Sequence, residues 1–498
     1  MLDRVVVPSR LALIYRSGAT LAYNPALNTW ESTDDDTAEV LRWLRAKRER
    51  APLETHLARR FAYTIPAAKG RLQKILAWCI FRRLLYLDRE PQAPEVSLPP
   101  NPLETVYWIC TQACNLRCAY CYQDATIRRP QELSTEEGKD LVDQVVEAGA
   151  DTFIFTGGEP FARHDLLEIA RYSRARGLRT NVITNGHYIT PRNVTEIGHI
   201  FDTVTISLDH GIPEHHDRNR GPGSWQRAVD AIDLLLKVGV NVDVNSVLSR
   251  FGLKDIKELV RFIRARPVGE LRIIPQFPMG RGASAREEQI APGELIGLND
   301  LLQRAGSDLE QQAQTRVSPE GTYSTKRVIR SHCGAGLSEV SVDPEGWVYP
   351  CKLLQYGLFR TDNVRLRRLV DIYTSHAVLR QIRGTMASTL HPCKTCIIKN
   401  HCGGGCRGIQ FSFTQDYIKA HPLFCAYLRA TFEVQAWAAT GKVPRARRTG
   451  FNQLATDHQP GGGVKADEWV SGRTSFIPIT NVKASNDNNK EECASAHR

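Results

Sequence analysis

The chain has no long apolar run. Across its 498 residues every apolar stretch is far shorter than the ~18 residues expected of a membrane-crossing helix. The segment from Met1 to Gly18 is interrupted by Asp3, Arg4, Arg10 and Arg16, so no signal peptide is expected. Both absences point to a cytoplasmic protein with no membrane partner. Also lacking is the small size that accompanies a disulfide framework. The 13 cysteines belong to a long chain with no secretory mark, so metal ligation in a reducing compartment is the better reading of them. An acidic excess is missing as well. Lys and Arg number 65 against 54 Asp and Glu, a net charge of +11. That balance suits an acidic peptide, an anionic cofactor or nucleic acid, and does not choose among them. No internal repeat is visible beyond an alternation of strand and helix. The length fits about three domains.

The most informative segment is Cys114-Asn115-Leu116-Arg117-Cys118-Ala119-Tyr120-Cys121. Three thiols lie within eight residues, and the next cysteine downstream is Cys333. Three close thiolates can hold one face of a cubane iron–sulfur cluster. The fourth iron then lacks a local ligand and can bind a small molecule. The competing reading is a structural zinc loop, which usually shows paired Cys-x2-Cys units. The spacing, with an aromatic residue just before the last cysteine, resembles the radical S-adenosylmethionine (SAM) superfamily. The resemblance implies that the open iron chelates the amine and carboxylate of SAM. One electron, from an external reductant of flavodoxin or ferredoxin type, then cleaves SAM to a 5′-deoxyadenosyl radical.

Along the chain, residues 1–90 read as a small separate unit. A hairpin is expected over Leu11–Tyr15 and Thr20–Tyr23, with Gly18 in its turn. Asp34-Asp35-Asp36 opens a helix carrying Val40, Leu41 and Leu44. A further helix places Leu72, Ile75, Leu76, Cys79 and Ile80 on one face, which makes Cys79 a core residue. Hairpin plus three helices is a winged-helix-like plan. Prolines 91, 94, 99, 100 and 102 mark a linker over 91–103. Residues 104–310 alternate strand and helix. Strands are expected over 105–110, 152–156, 179–184, 203–208, 240–247 and 270–275, each short and almost continuously apolar, as strands buried on both faces are. Ser134 and Glu137 form a capping box before a helix. The fold class is α/β with a parallel sheet. Periodicity does not say whether the sheet is a barrel or open; the radical SAM resemblance implies a partial (β/α)6 barrel. Residues 311–436 hold seven cysteines. The remainder, 437–498, is basic and polar and reads as a disordered tail.

Ligands of βα folds bind beyond the carboxyl ends of the strands, where the Cys114–Cys121 loop lies. The second strand runs into Gly157-Gly158-Glu159-Pro160. Two glycines let a backbone approach a ligand and leave its amides free, and the acid can accept from an ammonium group. Alone this is as well read as a Gly-Pro turn. In the family a motif of this form holds the SAM amino group. The third strand ends in Thr184-Asn185-Gly186, which makes Asn185 a candidate contact. The family places ribose- and carboxylate-contacting groups at the end of the fourth strand, here Ser207 and Asp209; Asp209 could instead cap a turn. Arg218 suits the SAM carboxylate, with Arg220 as competitor and a solvated surface arginine as the plainer reading. His215 and His216 read as loop residues. Pro278-Met279-Gly280-Arg281-Gly282 also resembles the family, without an assigned role.

The C-terminal order is Cys333, Gly346-x4-Cys351, then Cys393-x2-Cys396-x5-Cys402-x3-Cys406, then Cys425. Cys393 to Cys406 alone could be a zinc knuckle. The seven-cysteine order resembles the SPASM domain, which carries two auxiliary clusters in peptide-modifying radical SAM enzymes. The resemblance gives Cys393, Cys396, Cys402 and Cys425 to the second auxiliary cluster, and Cys333, Cys351 and Cys406 to the first, making three 4Fe–4S clusters in all. Some relatives have an eighth cysteine shortly before the position of Cys333. Here that stretch, 328–332, has none. An open iron, His332 or a distant ligand remain as alternatives. In sulfatase maturases the cysteine matching Cys351 is followed by an aspartate base; here Lys352 follows. The N-terminal unit resembles the recognition element that binds a precursor peptide as an added strand. A purely supporting domain or a nucleic-acid-binding winged helix are its alternatives. The expected function is hydrogen abstraction from a ribosomally made precursor peptide and installation of a carbon–carbon or thioether crosslink. The alternatives are maturation of a sulfatase or quinone-cofactor dehydrogenase, or an RNA-binding iron–sulfur protein.

Overall fold

The computed structural model describes residues 4–16, 18–46, 53–91, 103–253, 255–284, 290, 294, 316–319, 329–438 and 440. The linker between 91 and 103, and the tail beyond 440, lie outside the described residues.

The chain opens with β1 (Val5–Val6), then β2 (Ala12–Arg16), β3 (Ala19–Asn24) and β4 (Thr29–Thr33) in one antiparallel sheet of order β2-β3-β4. Gly18, at φ 81°, makes the hairpin turn. Three helices follow: α1 (Asp35–Arg45), α2 (Leu53–Phe61) and α3 (Ile65–Phe81). Asp34 caps α1 by accepting from the Thr37 amide at 3.2 Å. The short β5 (Tyr86–Leu87) returns to pair with β1. The helices bury Val40, Leu41, Leu57, Leu72, Leu76 and Cys79 against Leu13 and Ala22.

This unit is not separate, as the sequence alone implies. Neighbouring residues on a strand face opposite ways, so Ile14, Leu21, Tyr23 and Trp30 point away from those helices and join the main core of the molecule. Tyr23 and Trp30 pack on Phe432 with ring centroids 4.7 and 5.7 Å away. Asn400 Nδ2 donates to Pro25 O at 2.9 Å. The partners Phe432 and Asn400 come from the C-terminal cysteine-rich region, contacts that no local periodicity announces.

The central region is β6 (Thr105–Ile109), α4 (Thr135–Glu147), β7 (Thr152–Thr156), α5 (Leu166–Ala175), β8 (Arg179–Thr184), α6 (Val194–Ile200), β9 (Thr203–Ser207), α7 (Pro213–Arg220), α8 (Ser224–Lys237), β10 (Val242–Leu248), α9 (Ile256–Arg264) and β11 (Glu270–Pro275). Strands β6 to β11 pair in sequence order, all parallel. One face of the sheet is apolar and enclosed, with Val106, Trp108, Phe153, Phe155, Val182, Val204 and Ile206 fully buried, each such side chain contributing about 1.5–3 kcal/mol. The other face, with Tyr107, Asn181, Asn245 and Arg272, is mixed and half-buried. The capping box of α4 is present in both directions, Glu137 N to Ser134 Oγ at 3.3 Å and Ser134 N to the Glu137 carboxylate at 2.8 Å.

The sheet does not stop at residue 310. β12 (Arg316–Pro319) adds to β11, and β13 (Glu339–Val342) adds in parallel to β6, followed by the antiparallel β14 (Val348–Tyr349). The order is β12-β11-β10-β9-β8-β7-β6-β13-β14. Its two ends stay unpaired with each other among the described residues, so the barrel is partial. β13 matters for the site, because it carries the loop of Cys333 directly beside β6, which leads into Cys114. No helix among the described residues is long and apolar enough to cross a membrane.

Candidate active site

The Cys114–Cys121 loop leaves the end of β6 and is held by the ends of the neighbouring strands. Gly158 N donates to Thr111 O and Glu159 N to Ala113 O, both at 2.8 Å. A Cβ on Gly157 would come 2.6 Å from Thr111 O, and one on Gly158 would come 2.2 Å from Ala113 O. The glycines are therefore required by close approach to the cysteine loop. Their amides are not all free for a ligand, as the sequence reading has it, since those of Gly158 and Glu159 are used on that loop. From the other side, Arg281 Nε donates to Cys118 O at 2.9 Å, its amide donates to Cys121 O at 3.0 Å, and its Nη1 meets Asp124 at 2.7 Å. The motif from Pro278 to Gly282 is thus a clamp on the cysteine loop.

Glu159 is fully buried and does not line the cavity at these strand ends. Its carboxylate accepts from Thr184 Oγ1 at 2.6 Å, Asn185 N at 2.8 Å and Phe161 N at 3.1 Å. Burial pushes its pKa up to about 7, against these three donors, which favour the ionised form. Its role is to hold Thr184 and Asn185 in place. Asn185 in turn donates from Nδ2 to Asn115 Oδ1 at 2.8 Å, tying β8 to the cysteine loop.

Asp209 likewise faces protein groups. It is fully buried, takes Arg220 Nε and Nη2 at 2.8 and 2.9 Å, accepts from Val247 N at 3.0 Å and from the Tyr120 hydroxyl. Burial works against its charge, and the Arg220 guanidinium outweighs this and holds its carboxyl below the usual value. Arg218 is exposed and outside the cavity lining, whereas Arg220 lines the cavity and lies 5.4 Å from the Tyr120 ring. On α7, a helix points residues two apart in different directions, so Arg220 and not Arg218 faces inward.

A cavity of about 470 Å³ opens at these strand ends, within the size range of small-molecule sites. Cys114, Cys118 and Cys121 line one part, with Gly157, Gly158, Thr184, Asn185, Ser207 and Arg220. Cys333, Cys351 and Cys406 line the same cavity. Its charged lining is Arg220, Arg272, Arg281, Lys352 and Arg407, against one carboxylate, Glu339, a balance suited to thiolate-ligated clusters and a cofactor carboxylate. Lys352 Nζ lies 4.2 Å from the Tyr107 ring centre. Cys393, Cys396, Cys402 and Cys425 instead line a separate, small space.

No described cysteine forms a disulfide. Burial raises Cys114 to about 11 and Cys425 to about 11, and raises Cys351 and Cys402 further, with neighbouring thiols adding to each shift. Such thiols ionise only when a cationic centre offsets the cost. Among the described residues, the one trio of His, Cys, Asp or Glu ligand atoms within 4.8 Å of one another is His210, His215 and Asp255. The cysteine sulfurs are therefore set wider than a single zinc holds them, about 3.8 Å apart for tetrahedral ligation. The histidine trio reflects an ion pair, His215 Nδ1 to Asp255 at 2.5 Å, and none of its members lines the cavity. His215 and His216 lie on α7 rather than in a loop. His332 is spoken for: Gly334 N donates to its Nδ1 at 3.0 Å and its Nε2 lies 2.9 Å from Ile382 O.

The profile of the radical SAM superfamily matches residues 108–263, and that of the SPASM iron–sulfur cluster-binding domain matches 333–397. The AdoMet-dependent heme synthase of Oleidesulfovibrio alaskensis is 30% identical over 342 residues, 65% of this chain and 87% of that protein.

The chain belongs to the radical SAM superfamily.

The mycofactocin maturase MftC of Mycobacterium tuberculosis is 29% identical over 309 residues, covering 61% of this chain and 78% of that one. Among solved structures, Streptococcus suis SuiB bound to S-adenosylmethionine superposes with TM-score 0.53 at 16% identity, over 81% of this chain and 96% of that chain. anSMEcpe with bound AdoMet gives 0.57 at 18%, over 69% and 100%. At these identities the likeness to the two structures is one of fold. As a radical SAM protein with a SPASM domain the chain is an enzyme that uses SAM and iron–sulfur clusters, so the RNA-binding, non-catalytic alternative falls. The lining of the cavity differs in part from the candidates that the motifs name. Thr184 and Arg220 join the lining, and Glu159, Asp209 and Arg218 leave it.

Proposed function

We propose that this radical SAM enzyme modifies a ribosomally made precursor peptide, abstracting hydrogen from a side-chain or backbone carbon and closing a carbon–carbon or thioether crosslink. The observation that carries this reading is the shared cavity, in which the Cys114, Cys118 and Cys121 set and the Cys333, Cys351 and Cys406 set meet one chamber. When bound, SAM with its cluster supplies the hydrogen-abstracting radical, and the auxiliary clusters supply redox capacity. Gly157, Asn185, Ser207 and Arg220 would position SAM over the first cysteine set, with Arg220 presenting the partner for its carboxylate. The crosslink removes two hydrogens from the peptide: one as an atom, the other as a proton and an electron. The N-terminal sheet offers two edge strands, β2 and β4, to which a leader peptide can add by main-chain hydrogen bonds. The name of MftC as a maturase and the structure of SuiB bound to precursor peptide SuiA support a peptide substrate.

A second reading has its own observation. The 30% identity to an AdoMet-dependent heme synthase over 87% of that protein favours a tetrapyrrole. Lys352 in place of the aspartate base weighs against sulfatase maturation. Co-expression with each short open reading frame beside the gene, followed by mass spectrometry, separates these. A peptide lighter by two hydrogens per crosslink is expected. Unmodified peptides from every such frame, with turnover of a porphyrin by the purified enzyme, would overturn the peptide reading.

A further inference from the structure

The cysteine set formed by Cys333, Cys351 and Cys406 is one donor short of a four-iron cluster. His332, the nearest candidate in sequence, has both ring nitrogens engaged with backbone groups and does not line the cavity. Cys110 is fully buried at the end of β6 and does not line it either. Among the described residues that line the cavity, Glu339 is the one carboxylate. Its backbone is fixed to the Cys333 loop: Glu339 N donates to Gly334 O at 3.2 Å and Gly336 N donates to Glu339 O at 2.9 Å. Gly334 and Gly336, at φ 101° and 66°, fold that loop back so that Cys333 and Glu339 share one turn. Gly336 N donates as well to Pro350 O at 2.7 Å, so the residue before Cys351 meets the same turn. Glu339 therefore starts from the turn that carries Cys333 and neighbours Cys351, and it faces the cavity that all three cysteines line.

We propose that Glu339 is the fourth ligand of the first auxiliary cluster, bound through a carboxylate oxygen. A carboxylate is a harder donor than the thiolates usual at such sites. It closes the iron in the resting enzyme and gives way to a soft donor. In that exchange the iron–oxygen bond breaks, an iron–sulfur bond forms, and the thiol proton passes to the freed carboxylate, so no electron changes hands. The inference rests on the cluster assignment and not on the peptide reading, and its test needs no precursor.

The test is electron paramagnetic resonance of the reduced, reconstituted full chain, with 2-mercaptoethanol as the probe ligand. In wild type, the thiol should shift one auxiliary signal only at high concentration. Glu339→Gln should alter that signal without thiol, and should respond to at least tenfold less thiol. Glu339→Cys should give a lower midpoint potential and no thiol response. His332→Ala should leave the signal unchanged. If Glu339→Gln loses the cluster, Glu339→Cys must restore it. A Glu339→Gln protein with the wild-type signal, potential and thiol response overturns the proposal. So does a Glu339→Cys protein that fails to restore a lost cluster, or a His332→Ala protein that alone changes the signal.

Discussion

At Gly158 there is no room for a methyl group, because it would come within 2.2 Å of Ala113 O. The strain falls on backbone that carries Cys114, one residue further on. Gly158→Ala should therefore lower iron by about four per chain, the content of one cubane cluster, while the auxiliary signals persist; iron analysis with magnetic resonance checks this. Glu159→Gln puts an amide NH2 where the Asn185 N–H now donates, leaving a buried donor unpaired at a cost of about 1–3 kcal/mol. SAM affinity by equilibrium dialysis should fall with the iron content unchanged. Arg281→Ala removes the grip on Cys118 O and Asp124, and a chelator should then strip the catalytic cluster several-fold faster. The sequence located all three residues, since each lies in a motif at a strand end. Their partners were not legible. That the Glu159 carboxylate turns back to Thr184 at the end of the next strand, and Asp209 to Arg220 on the following helix α7, depends on how neighbouring elements pack. Glu339 carried no sequence signal, because an acid at the start of a strand usually faces solvent.

Among the elements, strands β6 to β11 were legible to within two residues. Short β-branched runs between polar turns mark strands, although only one face of this sheet is continuously apolar: β10 alternates buried and half-buried residues along its length. The additions β12 and β13, and the third strand β4, were missed. β4 reads Thr-Trp-Glu-Ser-Thr, too polar to stand out, and it is stabilised by what covers it. Trp30 on that strand is 2% exposed and packs against His401 and Phe432, next to the four-cysteine set. Trp30→Ala should thus cost about 3–5 kcal/mol and make the second auxiliary cluster sensitive to chelator. Thermal unfolding and the decay of the cluster absorbance report the two effects. If the sheet were a detachable module, the cluster would not respond. For the same reason, deleting residues 1–90 removes part of the core as well as a binding surface, so substitutions at the edges of β2 or β4 are the cleaner probe of leader recognition.

On the scale of the whole molecule, three regions of the chain converge on the cysteines. The sheet carries one cysteine set at the end of β6, its extension β13 brings a second set to the same cavity, and the N-terminal sheet covers the third. That convergence opens two cysteine sets, with the clusters they would hold, to one chamber. The central claim is that a carbon-bound hydrogen of a peptide is removed in this cavity. The direct measurement is deuterium transfer. The precursor peptide identified by co-expression is deuterated at its carbon positions and incubated with the reconstituted enzyme, SAM and a one-electron reductant. The account predicts 5′-deoxyadenosine carrying one deuterium and a peptide crosslinked with matching loss of label, both abolished when Cys114, Cys118 and Cys121 are replaced by Ala. Deuterium-free 5′-deoxyadenosine formed beside a modified peptide, or deoxyadenosine still produced by the triple variant, would contradict it.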